Sequence, residues 1–356
     1  MAKRLANAGK HPVLLCGGAT GRIGDPRPSA EREIISDETV NNNIKGIRDQ
    51  VSRIVPQAEL VDNYDWMKDY TFLNFLRDIG KYINVNYMLG KDIIQRRLET
   101  GITYAEFSYM LMQGYDFLHL FQEKNCIMQV AGSDQWGNIT TGVDFIRKVL
   151  DKTAYAFTMP LILDSTGKKF GKSEGNALWL DKEKTTPYAI YQHLINTDDS
   201  KVLEYLKVFT FLTKEEIEDI YAQQQAAPET RIAQKTLAWE VVKDLHGKAE
   251  ADNAVTVSQK LFAGDFKNLS VSDILSGMKG VPTFKFTEEI PLVDVMVNNG
   301  MASSKREARE FIKNKALSIN GDVVTDETMI VKKDMALEGK VIIFRRGKKK
   351  YYLAEM

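Results

Sequence analysis

Tyr109, Gln113 and Asp116, in the segment EFSYMLMQGYDFLHLF, have the residue types and spacing of a polar binding surface. At about 100° per residue on a helix they fall within about 60° of one another. Phe107, Met110, Leu111, Phe117, Leu118 and Phe121 flank them, so the polar stripe is enclosed, and enclosed polar groups need partners. A buried hydrogen-bond network between helix and sheet accounts for any one of the three. All three together, near strand ends, favour a ligand site.

Three loops offer complementary chemistry. In GGATGRIGDP, Gly17, Gly18, Gly21 and Gly24 let the backbone pass close to a ligand after a strand, and Asp25 supplies a carboxylate. The pattern is not GxGxxG, and a turn with Asp25 as a cap explains it as simply. In GSDQWGN, Asp134 and Gln135 reach a strand end where a carboxylate suits a ribose diol; an N-cap followed by a packed Trp136 is the plain alternative. In Lys169-Phe170-Gly171-Lys172-Ser173, two lysines and a hydroxyl can close on a polyphosphate and stabilise a departing pyrophosphate, although Lys-rich surface hairpins are common.

The elements that position these loops alternate between strand and helix. Residues 12–16 read as a buried strand and 58–63 as another, among helical patterns at about 37–54, 71–82 and 91–99. A long helix at 103–122 leads to strand 126–131, a helix at 138–150 and strand 156–163, which predicts a doubly wound parallel sheet. Pro187 opens a mostly helical stretch reaching about residue 262. Gly- and Pro-bearing residues 264–290 read as a linker, and the remainder as two short helices followed by strands around Gly321.

The chain of 356 residues, 44% hydrophobic and 27% charged, can bury more than one core, and its formal net charge is zero. No global field marks a nucleic-acid partner, but residues 300–356 carry 13 Lys and Arg against 8 Asp and Glu, densest at Arg345-Arg346-Gly347-Lys348-Lys349-Lys350. Cys16 and Cys126 are the only cysteines, and with 4 histidines they make no familiar zinc spacing. No apolar run is long enough for a membrane span and no signal-peptide core follows Met1, so a cytoplasmic setting is expected.

In their order, GGATGRIGDP, NYDW, EFSYMLMQGYDF, GSDQWGN, KFGKS and the ending RRGKKKYYL resemble the bacterial-type tyrosyl-tRNA synthetases over essentially the whole chain. KFGKS resembles the KMSKS loop of class I synthetases. The resemblance implies an α/β, Rossmann-type parallel-sheet catalytic domain over 1–185, an all-α anticodon-recognition domain over 186–265, a linker at 266–289 and a small α+β RNA-binding domain over 290–356. It implies that Asp25, Tyr109 and Gln113 hold the ammonium group of tyrosine, that Asn63 lies nearby and that Asp116 receives the hydroxyl. It further implies that Gln135 places the tyrosine carboxylate, that Gly132 and Asp134 meet the ATP ribose, and that Lys169, Lys172 and Ser173 act on the phosphates. Tyrosine, ATP with Mg2+ and tRNA(Tyr) are then the substrates, no protein-held metal is expected, and a homodimer is implied, with Tyr104 where the family usually has Phe at its interface.

Ala2 to Ala8, closed by Gly9, read as the last turns of a helix that normally follows a strand, and no HIGH-type tetrapeptide is present. The expectation is therefore of a chain lacking the family's first strand and ATP-gripping motif, prone to aggregate and nearly inactive in adenylate formation as written. The competing reading is a catalytically impaired RNA-binding or dimer-partner fragment of the same family.

Overall fold

The computed structural model describes residues 1–25, 35–171, 177–278, 280–347 and 350–356. It divides into two compact units, Met1–Phe170 and Gly171–Met356.

In the first unit, helix α1 (Ala2–Asn7) is followed by Gly9 at φ 72° and leads to strand β1 (Val13–Cys16). Helices α2 (Thr20–Ile23) and α3 (Asp37–Ile54) precede β2 (Glu59–Asp62), which pairs in parallel with β1 from Val13–Glu59 to Cys16–Asp62. Ser36 caps α3 by accepting from Thr39 N, with Asp37 and Glu38 in the first turn where the helix dipole favours negative charge. Short helices α4 (Tyr64–Met67), α5 (Phe72–Asp78), α6 (Val85–Leu89) and α7 (Asp92–Leu98) lead to the long α8 (Tyr104–Lys124). Strand β3 (Met128–Gly132), helix α9 (Trp136–Leu150) and strand β4 (Tyr155–Met159) complete the unit, β3 and β4 pairing in parallel.

The strand and helix positions follow the sequence expectation with two differences. Strand β4 stops at Met159 because Pro160 has no N–H to continue the ladder. Among the described residues the four strands form two parallel pairs, β1–β2 and β3–β4, rather than one hydrogen-bonded sheet. Helix α8 links them instead, packing against α2 on one side and α9 on the other.

Helices α8 and α9 meet closely because glycine stands on both. A Cβ on Gly114 would lie 2.9 Å from Thr141 Cγ2, and one on Gly142 would lie 2.9 Å from Phe117 Cβ. Met88, Ile94, Met110, Phe117, Leu118, Phe145 and Ile146 form the core around this crossing. The first turn of α8 is fixed by Thr103, which caps Glu106 N, and by a buried ion pair. Arg97 reaches Glu106 at 2.9 Å with both side chains at most 6% exposed, and Arg97 also donates to Gly101 O.

The second unit begins with α10 (Pro187–Ile195), where Pro187 sits in the first turn and Thr186 caps Ala189 N. Helices α11 (Asp199–Phe209), α12 (Lys214–Ala226), α13 (Ile232–His246) and α14 (Lys248–Ala263) follow, burying Leu194, Val202, Leu206 and Leu237. The stretch 266–289 is no bare linker: it holds α15 (Val271–Gly277) and strand β5 (Thr283–Lys285). Phe266, Val271, Ile274 and Met278 bury against Val341, Ile343 and Leu353. Strand β6 (Ile290–Pro291), α16 (Leu292–Asn298), α17 (Lys305–Lys313), β7 (Leu317–Ile319), β8 (Asp322–Val323), β9 (Ile330–Val331), β10 (Val341–Arg346) and β11 (Lys350–Glu355) finish the chain. Five of these strands form a sheet in the order β5-β11-β10-β7-β8, with α16 and α17 packed on it through Leu292, Met296, Ala308 and Ile312.

Candidate active site

Two turns that follow parallel neighbours are strapped together. After β2, Asp62 accepts from Gly18 N at 3.0 Å and from Tyr64 N at 2.9 Å. The fit leaves no room at Gly18, where a Cβ would fall 2.1 Å from Asp62 Oδ1. Asn63, fully buried, accepts from Ala19 N at 2.7 Å and donates to Thr20 Oγ1 at 3.0 Å. Its amide then reaches Asp116 Oδ2 on α8 at 2.9 Å. Trp66 Nε1 donates to the other oxygen, Asp116 Oδ1, at 2.9 Å.

Asp116 is 1% exposed, and burial pushes its carboxyl up to about 7 even though the Asn63 and Trp66 hydrogen bonds favour the ionised form and Asp62 adds a smaller upward push. A carboxyl in this position is an enclosed acceptor with lone pairs left over, suited to a single hydroxyl donor.

A second cluster surrounds Gln135 at the end of β3. Its Nε2 donates to Asp25 Oδ2 at 3.1 Å, while its Oε1 accepts from Gln113 Nε2 at 3.1 Å and Asn138 Nδ2 at 3.0 Å. Gln113 Oε1 is buried with no partner. Asp25 and Gln113 thus offer acceptors to a cationic group, and Tyr109, half-buried, stands one helical turn before Gln113.

A third cluster is exposed. Lys169 Nζ lies 3.0 Å from Asp134 Oδ2, and the turn that presents the lysine is held by Asp164, which accepts from Thr166 N and Lys168 N, and by the Leu163–Lys169 bridge. Gly132, the last residue of β3, faces the same carboxylate: a Cβ there would sit 2.8 Å from Asp134 Oδ1. Lys172 and Ser173 lie outside the described residues, as do Lys348 and Lys349 of the basic tail.

The structure therefore joins Asn63 with Asp116, Asp25 with Gln135 and Gln113, and Asp134 with Lys169. Sequence reasoning missed Trp66, Thr20 and Asp62 as members. The one available signal was the indole N–H in NYDW, which needs an acceptor when its ring is half-buried. Gln129 on β3 has a buried side-chain oxygen without a partner. Among the described residues no cluster of three or more His, Cys, Asp or Glu side chains is placed to hold a metal. No helix of the described residues is long and apolar enough to cross a membrane.

Residues 1–263 match the family model for class I tRNA synthetases (W and Y), and residues 273–354 match that for the tyrosine–tRNA ligase SYY-like C-terminal domain. A tyrosine–tRNA ligase of Streptococcus pneumoniae (strain CGSP14) is 47% identical over 99% of this chain and 86% of its own length. Among solved structures, a C-terminally truncated mitochondrial tyrosyl-tRNA synthetase of Aspergillus nidulans is similar at TM-score 0.65 and 33% identity, covering 73% of this chain and 81% of that one. The corresponding Coccidioides posadasii structure reaches TM-score 0.62 at 32% identity, over 70% of this chain and 74% of that one.

Proposed function

The chain belongs to the class I tyrosyl-tRNA synthetases, ATP-dependent ligases that join tyrosine to its tRNA, and from that premise we propose how its residues divide the reaction. Asp116 receives the tyrosine hydroxyl. Asp25, Tyr109 and Gln113 take the ammonium group, and Gln135 steers the carboxylate toward the α-phosphorus of ATP. The observation that carries this reading is the enclosure of Asp116: both oxygens are held by side-chain donors inside an apolar surround, so an unmatched substrate leaves their remaining lone pairs without a donor.

The carboxylate attacks the α-phosphorus, pyrophosphate leaves, and no side chain is covalently changed. Catalysis is positioning plus charge stabilisation. Gly132 and Asp134 meet the ribose, while Lys169 and Lys172 neutralise the phosphates that Mg2+ accompanies as part of the substrate, and Ser173 donates a hydrogen bond to them. The 3.0 Å contact from Lys169 to Asp134 supports a shared nucleotide site, since ATP can insert its phosphates beside the lysine and its ribose beside the carboxylate.

Residues 186–265 serve anticodon recognition and 290–356 bind tRNA through phosphates, the latter supported by their local positive excess. A homodimer is supported by an apolar groove of about 380 Å³ lined by Tyr64, Tyr70, Phe75, Tyr104 and Leu111. Phe72, also in the groove wall, is 62% exposed and neighbouring Leu73 is 77% exposed, an apolar surface of the kind that a second copy covers. The free Cys16 and Cys126 fit a reducing cytoplasm.

Tyrosine-dependent exchange of pyrophosphate into ATP tests the reading. Asp116→Ala is expected to reduce selection of tyrosine over phenylalanine; unchanged selection refutes the assignment.

A further inference from the structure

We propose that His119 is a positioning residue for tyrosine selection: its imidazole, stacked on the Trp66 indole, keeps the indole N–H on Asp116 Oδ1. This deepens the reading of Asp116 given above and rests on it.

The two donors to Asp116 are held very differently. Asn63 is fully buried and fixed from both ends of its amide, by Ala19 N at 2.7 Å and Thr20 Oγ1 at 3.0 Å. Trp66 is half-buried on α4, a helix of 4 residues whose start is held by Asp62 through Tyr64 N, which fixes the backbone but leaves the indole's own torsions to its neighbours. The hydrogen bond to Asp116 needs that ring at one angle, with Nε1 at 2.9 Å.

His119 supplies the constraint. Its ring lies 4.4 Å from the indole, centroid to centroid, with 22° between the planes. It stands three residues after Asp116 on α8, so the helix that carries the carboxyl also carries the clamp, at a separation fixed by helical geometry. Behind it, Tyr115 lies 6.1 Å away and itself stacks on Tyr70 at 5.2 Å and 9°, closing the space into which the imidazole could swing. Burial lowers the His119 titration from its ordinary value, opposed by Glu123 and assisted by Lys124, which disfavours the charged ring against the indole.

Losing the flat face opposite the indole frees Trp66 to rotate, and Asp116 Oδ1 then loses its donor. A buried acceptor without a partner is costly, and the carboxyl takes up a proton more readily because one of the two bonds that favour its ionised form is gone. The damage falls on recognition of the hydroxyl and leaves the nucleotide side alone.

The test compares His119→Leu, which keeps volume but not the flat face, with His119→Phe, which keeps the flat face in a somewhat larger ring. Trp66→Phe and the Trp66→Phe/His119→Leu pair complete a cycle, with Asp116→Ala as the reference. In pyrophosphate exchange, His119→Leu is expected to raise the tyrosine KM about tenfold, with the KM for ATP and for phenylalanine unmoved. His119→Phe restores the tyrosine KM, and the double variant is no worse than Trp66→Phe alone, because both act through one hydrogen bond. Equal tyrosine KM in His119→Leu and the parent, additive losses in the double variant, or a parallel rise in the ATP KM overturns the clamp. If Asp116→Ala itself leaves selection unchanged, the reading of Asp116 falls and the clamp with it; if only the His119 arm is silent, the clamp falls alone.

Discussion

Asn63 Nδ2 and Asp116 Oδ2 lie 2.9 Å apart although 53 residues separate them in the chain. One amide thereby ties the turn after β2 to the middle of α8, and through Ala19 and Thr20 to the turn after β1. Asn63→Ala breaks all three bonds and leaves buried groups unpaired. It is expected to lower unfolding free energy by about 1–3 kcal/mol and to raise the tyrosine KM, checked by urea denaturation and pyrophosphate exchange. A variant as stable as the parent would show that the strap is dispensable.

The buried carboxyl gives stability a pH dependence of definite sign. Asp116 titrates near 7 in the fold against an ordinary 3.8, so the native state binds its proton more tightly and stability from this group falls as pH rises from about 4 to 7. Asp116→Asn removes that component. Whatever offset its amide introduces at pH 4 by facing the Asn63 and Trp66 donors, the difference from the parent should move in the variant's favour by roughly 1.4 kcal/mol per pH unit at most across that window. Parallel stability curves for the two chains would contradict the raised titration.

Lys169 and Asp134 form an ion pair with side chains 47% and 43% exposed. Exposed pairs contribute little, so Lys169→Ala is expected to change stability by less than about 1 kcal/mol. Adenylate formation should nonetheless slow by about tenfold or more if the lysine stabilises phosphate charge. Calorimetry alongside single-turnover kinetics separates the two; a variant that adenylates at the parent rate removes Lys169 from the phosphate site.

The C-terminal segment cannot simply be deleted, because β10 and β11 cover Val271 and Ile274. Point changes are cleaner. Arg306 and Arg309 are both exposed on α17, and replacing both with Gln is expected to weaken tRNA binding and to flatten its log–log salt dependence by about 1 per arginine. Filter binding at several salt concentrations measures the slope, and an unchanged slope excludes α17 from the phosphate contacts.

The shared face of Gln113 and Asp116 on α8 was legible because a 3.6-residue period fixes which residues of a helix lie together. Their partners were not legible. Trp66 reaches Asp116 across 50 residues, and no local pattern encodes such a contact. Residues 266–289 misled for another reason: Gly277, Gly280 and Pro282 suggest a connector, while Val271, Ile274 and Met278 keep the i, i+3, i+7 spacing of one helical face over a segment too short to stand out beside them. The extent of β4 was overread because MPLIL looks like strand until the missing N–H of Pro160 is counted.

The buried pair of Arg97 and Glu106 bears on how this protein could change over generations. Replacing either residue alone strands an uncompensated charge beneath the first turn of α8, at a cost of about 3–5 kcal/mol, whereas replacing both with apolar residues of similar volume is often neutral. The two positions are thus separated from an apolar alternative by a fitness valley that single mutations must cross. Lineages should retain the pair together or exchange it together, and a chain holding only one of the two charges would be expected to carry a compensating change nearby, where Arg97 also meets the carbonyl of Gly101.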